Sequence, residues 1–215
     1  MPTQPPDAGL PRPSKIVCIG LNYAKHAAEF GNPIPEEPLV FLKPPSALIG
    51  PGEAIVLPAG AGRVDFEGEI GVRIGARARH VAREAAWEHV DGLLALNDVT
   101  ARELQRKDGQ WSRAKGFDTF CPIGPVTPLA EIDRSELSVT TRVNGDVRQQ
   151  SGADDMVFDI PALIAHVSAI MTLEPGDLIA TGTPSGVGPL AAGDVVEIEI
   201  GGGGGKLSNP VVAEG

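Results

Sequence analysis

Cysteine, aromatic residues, positive charge and long apolar runs are all scarce in this chain. Cys18 and Cys121 are the two cysteines among 215 residues, and no CxxC spacing occurs. A disulfide framework and a thiolate zinc site are therefore both disfavoured, and two reduced, buried thiols are expected, Cys18 lying inside the apolar run KIVCIGL. Eighteen basic against 28 acidic residues leave a net charge of −10. Nucleic acid and anionic membrane both require a basic surface, so neither is an expected partner, and a small molecule or another protein is. No apolar run reaches bilayer length, and the opening MPTQPPDAGLPRPSK has no apolar core, so the reading is a cytoplasmic protein without a secretory leader or membrane span.

Glycine (27 residues) and proline (20) are abundant instead, and they are spread along the chain. Many turns and short strands follow, with helix the minority element. Residues 1–14 read as a Pro-rich arm and residues 15–215 as one domain. KIVCIGLNY reads as a buried strand and YAKHAAEFGN as a short helix stopped by Gly31. VFLKPPSALIG and AIVLPAG read as strands broken by proline, VAREAAWEHVDG as an Ala-rich helix, and LLALNDV as a short strand. TARELQRK follows as a helix whose Thr100 and Glu103 fit a capping box. LSVTTRVNGDVRQQ is a hairpin turning at Asn144-Gly145, and IPALIAHVSAIMTL a helix with Pro161 in its first turn. GDVVEIEIGGGGGKLSNPVV closes the chain as a second hairpin with a flexible tip at Gly201–Gly205. Strands in hairpins outnumber helices, which favours an α+β, strand-rich antiparallel roll or sandwich with peripheral helices.

Three constellations could carry chemistry. In VDFEGEIGV a strand would set Asp65, Glu67 and Glu69 on one face, where like charges repel unless water or a cation relieves them. Glu67 and Glu69, with Asp98 at the end of LLALND, would form an all-oxygen site for a hard cation, although alone the pattern reads rather as the solvated face of an edge strand. His26 and Glu29, at i and i+3 on a helix, would let a carboxylate orient an imidazole. Arg102, Gln105 and Lys115 form a polar group just after Asp98. TGTPSGVG lacks the GK[ST] ending of a phosphate loop and reads as a turn.

The order of these segments carries more than any one of them. NYxxHxxE, FLKP, ExE, NDVTAREL, AKGFDTFCPIGP, VNGxxRQ and MTLEPGDLIATGTPSGVG together resemble the fumarylacetoacetate hydrolase family, from about Lys15 to about Val212. The resemblance implies a mixed β-roll or sandwich with short helices, assembled as a homodimer. It implies Glu67, Glu69 and Asp98 as ligands of Mg2+ or Mn2+, with Ca2+ also admissible, and leaves Asp65 without a role. His26 and Glu29 would be the acid/base dyad, Lys115 the stabiliser of a developing oxyanion, and Arg102, Gln105 and Thr183 contacts to a 2-oxo acid substrate.

The chemistry so implied is cleavage of the C3–C4 bond of 2-oxo or 2,4-dioxo acids, by acylpyruvate hydrolysis or oxaloacetate decarboxylation, with the cation stabilising a pyruvate enolate. The alternative enzyme is an isomerase or decarboxylase of 2-hydroxyhepta-2,4-diene-1,7-dioate. The contrasting class is a non-catalytic module whose cation serves structure alone.

Overall fold

An unbroken apolar run needs burial on both faces, and Ile16–Gly20 (β1) receives it inside a sheet. The structure, a computed structural model, describes residues 12–24 and 33–215. The expected arm over residues 1–14 falls mostly outside them, as does the expected helix carrying His26, Glu29 and Gly31.

The described strands continue with Leu39–Lys43 (β2), Leu48–Ile49 (β3), Ile55–Leu57 (β4), Val64–Phe66 (β5), Gly68–Ile74 (β6), Val90–Asn97 (β7) and Thr100–Ala101 (β8). Helices Arg102–Asp108 (α1) and Ser112–Lys115 (α2) precede Cys121–Pro122 (β9), Thr127–Pro128 (β10) and the hairpin Ser138–Val143 (β11) to Asp146–Gly152 (β12). Helix Ile160–Ile170 (α3) leads to Leu178–Ala180 (β13), Gly188–Pro189 (β14), Val195–Ile200 (β15) and Gly205–Ala213 (β16).

Two sheets dominate this α+β, strand-rich fold. One has the order β10-β7-β6-β13-β1-β2, the other β12-β11-β15-β16-β4, and smaller sheets β14-β5-β8 and β3-β9 flank them. Period-two alternation sorts the six-stranded sheet's side chains between two cores. Ile70, Val72, Leu93 and Ala95 join Val139, Ile198 and Leu207 of the facing five-stranded sheet in the larger one. Ile16, Cys18, Leu94, Leu96, Leu178 and Ala180 turn the other way, against Ala47, Leu48 and Cys121. Both thiols are buried and free.

The Asn144-Gly145 turn is as expected, both residues having positive φ (54° and 85°), the backbone that a type I′ turn requires. Proline separates β2 from β3 through a 3-10 turn at Pro45–Ala47, and Pro161 sits in the first turn of α3.

Four expectations need correction. The sheets are mixed, as the family resemblance implies and unlike the antiparallel reading from the hairpins, because β1 pairs parallel with β13, β16 with β4, and β3 with β9. Hairpin signals are local, whereas these partners lie far apart in sequence and only tertiary packing selects them. The Ala-rich segment forms a 3-10 helix at Arg83–His89 rather than an α-helix. The capping box is absent: α1 is capped at Ala101, with no side-chain bond, and Thr100 pairs in β8 while its hydroxyl donates to the Asp98 carbonyl at 2.8 Å. Strand pairing has taken the residue that the helix would have used. The glycine run is held rather than loose, since Gly201 N–H donates to Ser138 O and Asp133 N–H to Gly202 O, both at 2.9 Å. Among the described residues no helix is long and apolar enough to cross a membrane.

Candidate active site and metal centre

Antiparallel pairing of β6 with β7 brings the start of one beside the end of the other, Gly68 opposite Asn97 and Glu69 opposite Leu96. Glu67, Glu69 and Asp98 thereby meet at one sheet end, with one oxygen of each within 4.8 Å of the others. All three are buried. Backbone bonds fix the crossing: Asp98 N–H donates to the Glu67 carbonyl (2.8 Å) and Glu67 N–H to Oδ1 of Asn97 (2.9 Å).

Gly68 allows a close approach here, because a Cβ at this position would fall 1.9 Å from Oγ1 of Thr141 on β11. Gln149 on β12 uses that proximity. Its Oε1 accepts from Gly68 N–H (3.0 Å), and its Nε2 donates to Oγ1 of Thr183 (2.7 Å) and to the Pro184 carbonyl (2.8 Å). Thr183 in turn donates to the Gly68 carbonyl (2.9 Å), so the TGTPSG loop is pinned over the carboxylates. Gly182, at φ +98°, aims its N–H at Oε2 of Glu69 (2.8 Å).

Cations surround this acidic centre. Lys115 Nζ bridges Oε2 of Glu67 (2.7 Å) and Oδ2 of Asp98 (2.6 Å). Lys43 Nζ holds the other Asp98 oxygen at 2.6 Å and the Val99 carbonyl at 3.2 Å. Arg102 reaches Oε1 of Glu67 (2.6 Å) through Nη2, Asp65 (2.8 Å) through Nε, and Oε1 of Gln105 (3.0 Å) through Nη1. Asp65 is therefore no wet-face carboxylate. It is wholly buried and accepts from both Arg63 and Arg102, because β5 ends at Phe66 and a break at Glu67 interrupts the alternation.

The buried set comprises four carboxylates, Asp65, Glu67, Glu69 and Asp98, against three cations, Lys43, Arg102 and Lys115. Burial raises the Glu69 carboxyl well above its usual range, and Asp98 and Glu67 add to the rise against the opposing pull of Lys115 and the Gly182 amide. Burial alone would depress Lys115, but Asp98 and Glu67 outweigh it and the net direction is up, so its ammonium stays charged. An all-oxygen, buried, mutually repelling carboxylate set fits a hard divalent cation in donor type and in spacing.

A cavity of about 340 Å³ opens on this centre, and Glu67, Glu69, Asp98, Arg102, Gln105, Lys115 and Thr183 all line it. Phe41 and Trp111, packed edge to face with centroids 5.1 Å apart, also line it, Phe41 with its ring centroid 5.0 Å from Lys115 Nζ, and so does Arg106. His26 and Glu29 lie outside the described residues. Asn22 ties the end of the preceding described stretch to two others: its amide donates to Phe158 O (3.0 Å) and Thr181 O (2.7 Å), and its Oδ1 accepts from Phe158 N–H (2.8 Å).

The sequence reading missed Lys43, Asn97 and Gln149. A lysine closing the apolar strand LVFLK was the available signal for the first, since a charge there needs a buried partner.

The fumarylacetoacetate (FAA) hydrolase C-terminal model matches residues 15–212. The chain belongs to the fumarylacetoacetate hydrolase family. Solved members superpose closely: 5-carboxymethyl-2-hydroxymuconate delta-isomerase from Mycobacterium smegmatis is 50% identical at a TM-score of 0.87, over 95% of this chain and 80% of that one. Fumarylpyruvate hydrolase from Pseudomonas aeruginosa, solved with Mn2+ and pyruvate, is 34% identical at a TM-score of 0.87, over 93% and 90%. Oxaloacetate tautomerase YisK of Bacillus subtilis is 45% identical over 208 residues, 90% of this chain and 68% of its own length. Enzymes of this family include hydrolases, isomerases and tautomerases, and the chain shares their fold.

Proposed function

We propose that this protein is a divalent-metal-dependent enzyme that cleaves the C3–C4 bond of 2-oxo or 2,4-dioxo acids, by acylpyruvate hydrolysis, oxaloacetate decarboxylation or both. The buried Glu67, Glu69 and Asp98 triad at the floor of a cation-lined cavity carries the reading. Mg2+ or Mn2+ held there would supply Lewis-acid stabilisation of the negative charge that develops on the 2-oxo group.

The chain's own residues divide the remaining work. Lys115, kept protonated by Asp98 and Glu67, is a donor to a developing oxyanion and not a base. The base in this reading is His26, with Glu29 as its partner, as the family resemblance implies, and it would take a proton from water in hydrolysis. Thr183 donates its hydroxyl proton to the Gly68 carbonyl and accepts from Gln149 with one of its two lone pairs, so its side chain helps to set the position of the loop. The assembly that goes with this reading is a homodimer.

A second reading, isomerase or tautomerase action on an unsaturated or enolisable diacid, is favoured by the names of the Mycobacterium smegmatis and Bacillus subtilis relatives. It uses the same centre for proton transfer without bond cleavage. Incubation of the protein with Mn2+ and acetylpyruvate, oxaloacetate or a hydroxymuconate-type diacid separates the two. Pyruvate from either of the first two, abolished by EDTA and by Glu67→Ala, is the expected result. Turnover of the third alone, without pyruvate, reverses the ranking. Bound Mn2+ with no turnover of any of them leaves the structural-cation module.

A further inference from the structure

We infer that Arg106, assisted by the Gln105 amide, receives a second carboxylate of the substrate and so makes the site selective for dicarboxylic 2-oxo acids; this rests on the 2-oxo acid reading above. Three cations line the cavity, Arg102, Arg106 and Lys115. Two of them are already engaged by protein oxygens: Lys115 by Glu67 and Asp98, Arg102 by Asp65, Glu67 and Gln105. Arg106 makes no ion pair among the described residues, is exposed, and lines the cavity.

Helix geometry separates the two ends of the pocket. Arg102 and Arg106 stand at i and i+4 on α1, one above the other on the same face and about 6 Å apart along the axis. Arg102 is buried against Glu67 of the carboxylate floor, and Arg106, one turn further along the helix, is exposed. Between them Gln105 has a determined orientation. Its Oε1 accepts from Arg102, a group that can only donate, so the amide NH2 is the end left for the cavity. An amide NH2 and a guanidinium from adjacent residues supply the donors that a carboxylate needs, and a charge-assisted bond to arginine adds both energy and direction.

The walls suit the same ligand. Phe41 and Trp111 offer ring surface to a short carbon chain, and Trp111 is held in place by Gly20, where a Cβ would come within 2.9 Å of its ring. A 2-oxo monoacid would leave Arg106 without a counter-charge. A diacid would span from the carboxylate floor to Arg106 with its carbon chain along the aromatic wall.

The test compares ligands with and without the distal carboxylate, in both turnover and binding. In the Mn2+-loaded protein, Arg106→Gln should lower kcat/KM for oxaloacetate by about tenfold, mainly through KM, while changing acetylpyruvate by no more than about twofold. Arg106→Lys should retain part of the preference. Lys107→Gln, in the same last turn but not lining the cavity, should change neither, which removes a general helix-end or charge effect. Calorimetric titration with 2-oxoglutarate and pyruvate reads the same contrast without turnover: the wild type should prefer the diacid, and Arg106→Gln should abolish that preference. Equal loss for both ligands, or a diacid preference that survives in Arg106→Gln, would overturn the assignment. Absence of turnover in the wild type, with a diacid preference that Arg106→Gln removes, would instead overturn the reaction and keep the subsite.

Discussion

Lys43 Nζ lies 2.6 Å from Oδ1 of Asp98, and neither side chain touches solvent. The pairing leaves Oδ2 of Asp98 to Lys115, so the two lysines hold opposite oxygens of the carboxylate and fix its orientation. Removing one partner of a buried ion pair strands the other, at a typical cost of about 3–5 kcal/mol. Lys43→Met is therefore expected to lower the unfolding free energy by about 2–3 kcal/mol, the lower figure because Lys115 remains on Asp98. Mn2+ should restore part of the loss. Urea unfolding with EDTA and with Mn2+ measures both, and a variant as stable as wild type in EDTA would show that the pair carries no such strain.

Glu69 lies in the opposite situation, buried next to Asp98 and Glu67, with the Gly182 amide donating to its carboxylate. Glu69→Gln keeps shape and the Gly182 bond while removing one of three mutually repelling charges. The metal-free variant should be more stable than wild type by about 1 kcal/mol, while Mn2+ affinity falls by about a hundredfold. Opposite movements of melting temperature and metal affinity are the signature sought. A fall in both would mean that Glu69 is stabilising in its own right.

The sequence shows local chemistry well and long-range pairing poorly. The Asn144-Gly145 turn, the buried thiols and the Pro-broken strands follow from backbone preferences of neighbouring residues, and the structure contains them. The parallel partners of β1, β4 and β3 depend on packing between distant segments, for which no nearby residue is a signal. At the site, Glu67, Glu69, Asp98, Arg102, Gln105, Lys115 and Thr183 were singled out and do line one cavity. Asp65 was misread because alternation was carried through Glu67, where the strand breaks. Lys43 was missed because a lysine on a short strand next to proline has the look of an edge residue until Asp98 is placed against it.

Asp177 is expected to contribute to the acid limb of stability. Its carboxylate accepts from Glu174 N–H (2.8 Å), Ser14 N–H (2.8 Å), Ser14 Oγ (2.7 Å) and Lys15 N–H (3.1 Å), and it pairs with the Lys15 ammonium. Burial alone would raise its carboxyl, but the Glu174 amide, Lys15 and Ser14 outweigh burial and hold it below the usual 3.8. A carboxyl depressed in the folded state stabilises above its unfolded value and loses that contribution as pH falls through the folded value. Asp177→Asn should cost about 1–2 kcal/mol at neutral pH, and the gap to wild type should close below about pH 4. Unfolding free energies at neutral and acid pH test this, and a gap that persists unchanged into acid would exclude the mechanism.

Cys18 and Cys121 report on opening of the site's own framework. Burial pushes both thiols up, with the nearby Asp98 charge adding to each; Cys121 reaches about 12, and Cys18 also lies well above its usual value. Thiolate is the reactive form, so at mildly alkaline pH the native protein should be inert to Ellman's reagent on two counts, access and ionisation. Modification then has to wait for opening of the second core, where Cys18 and Cys121 pack with Leu94, Leu96 and Ala180 beneath the carboxylate centre. A cation bound by Glu67, Glu69 and Asp98 stabilises the closed form by RT ln(1 + [L]/Kd), and each tenfold excess over Kd should slow labelling about tenfold when opening disassembles the site. Labelling rates against Mn2+ concentration would give this slope directly. Rapid labelling of the native protein, or labelling indifferent to Mn2+ in wild type and in Glu67→Ala alike, would mean that the thiols open independently of the carboxylate centre.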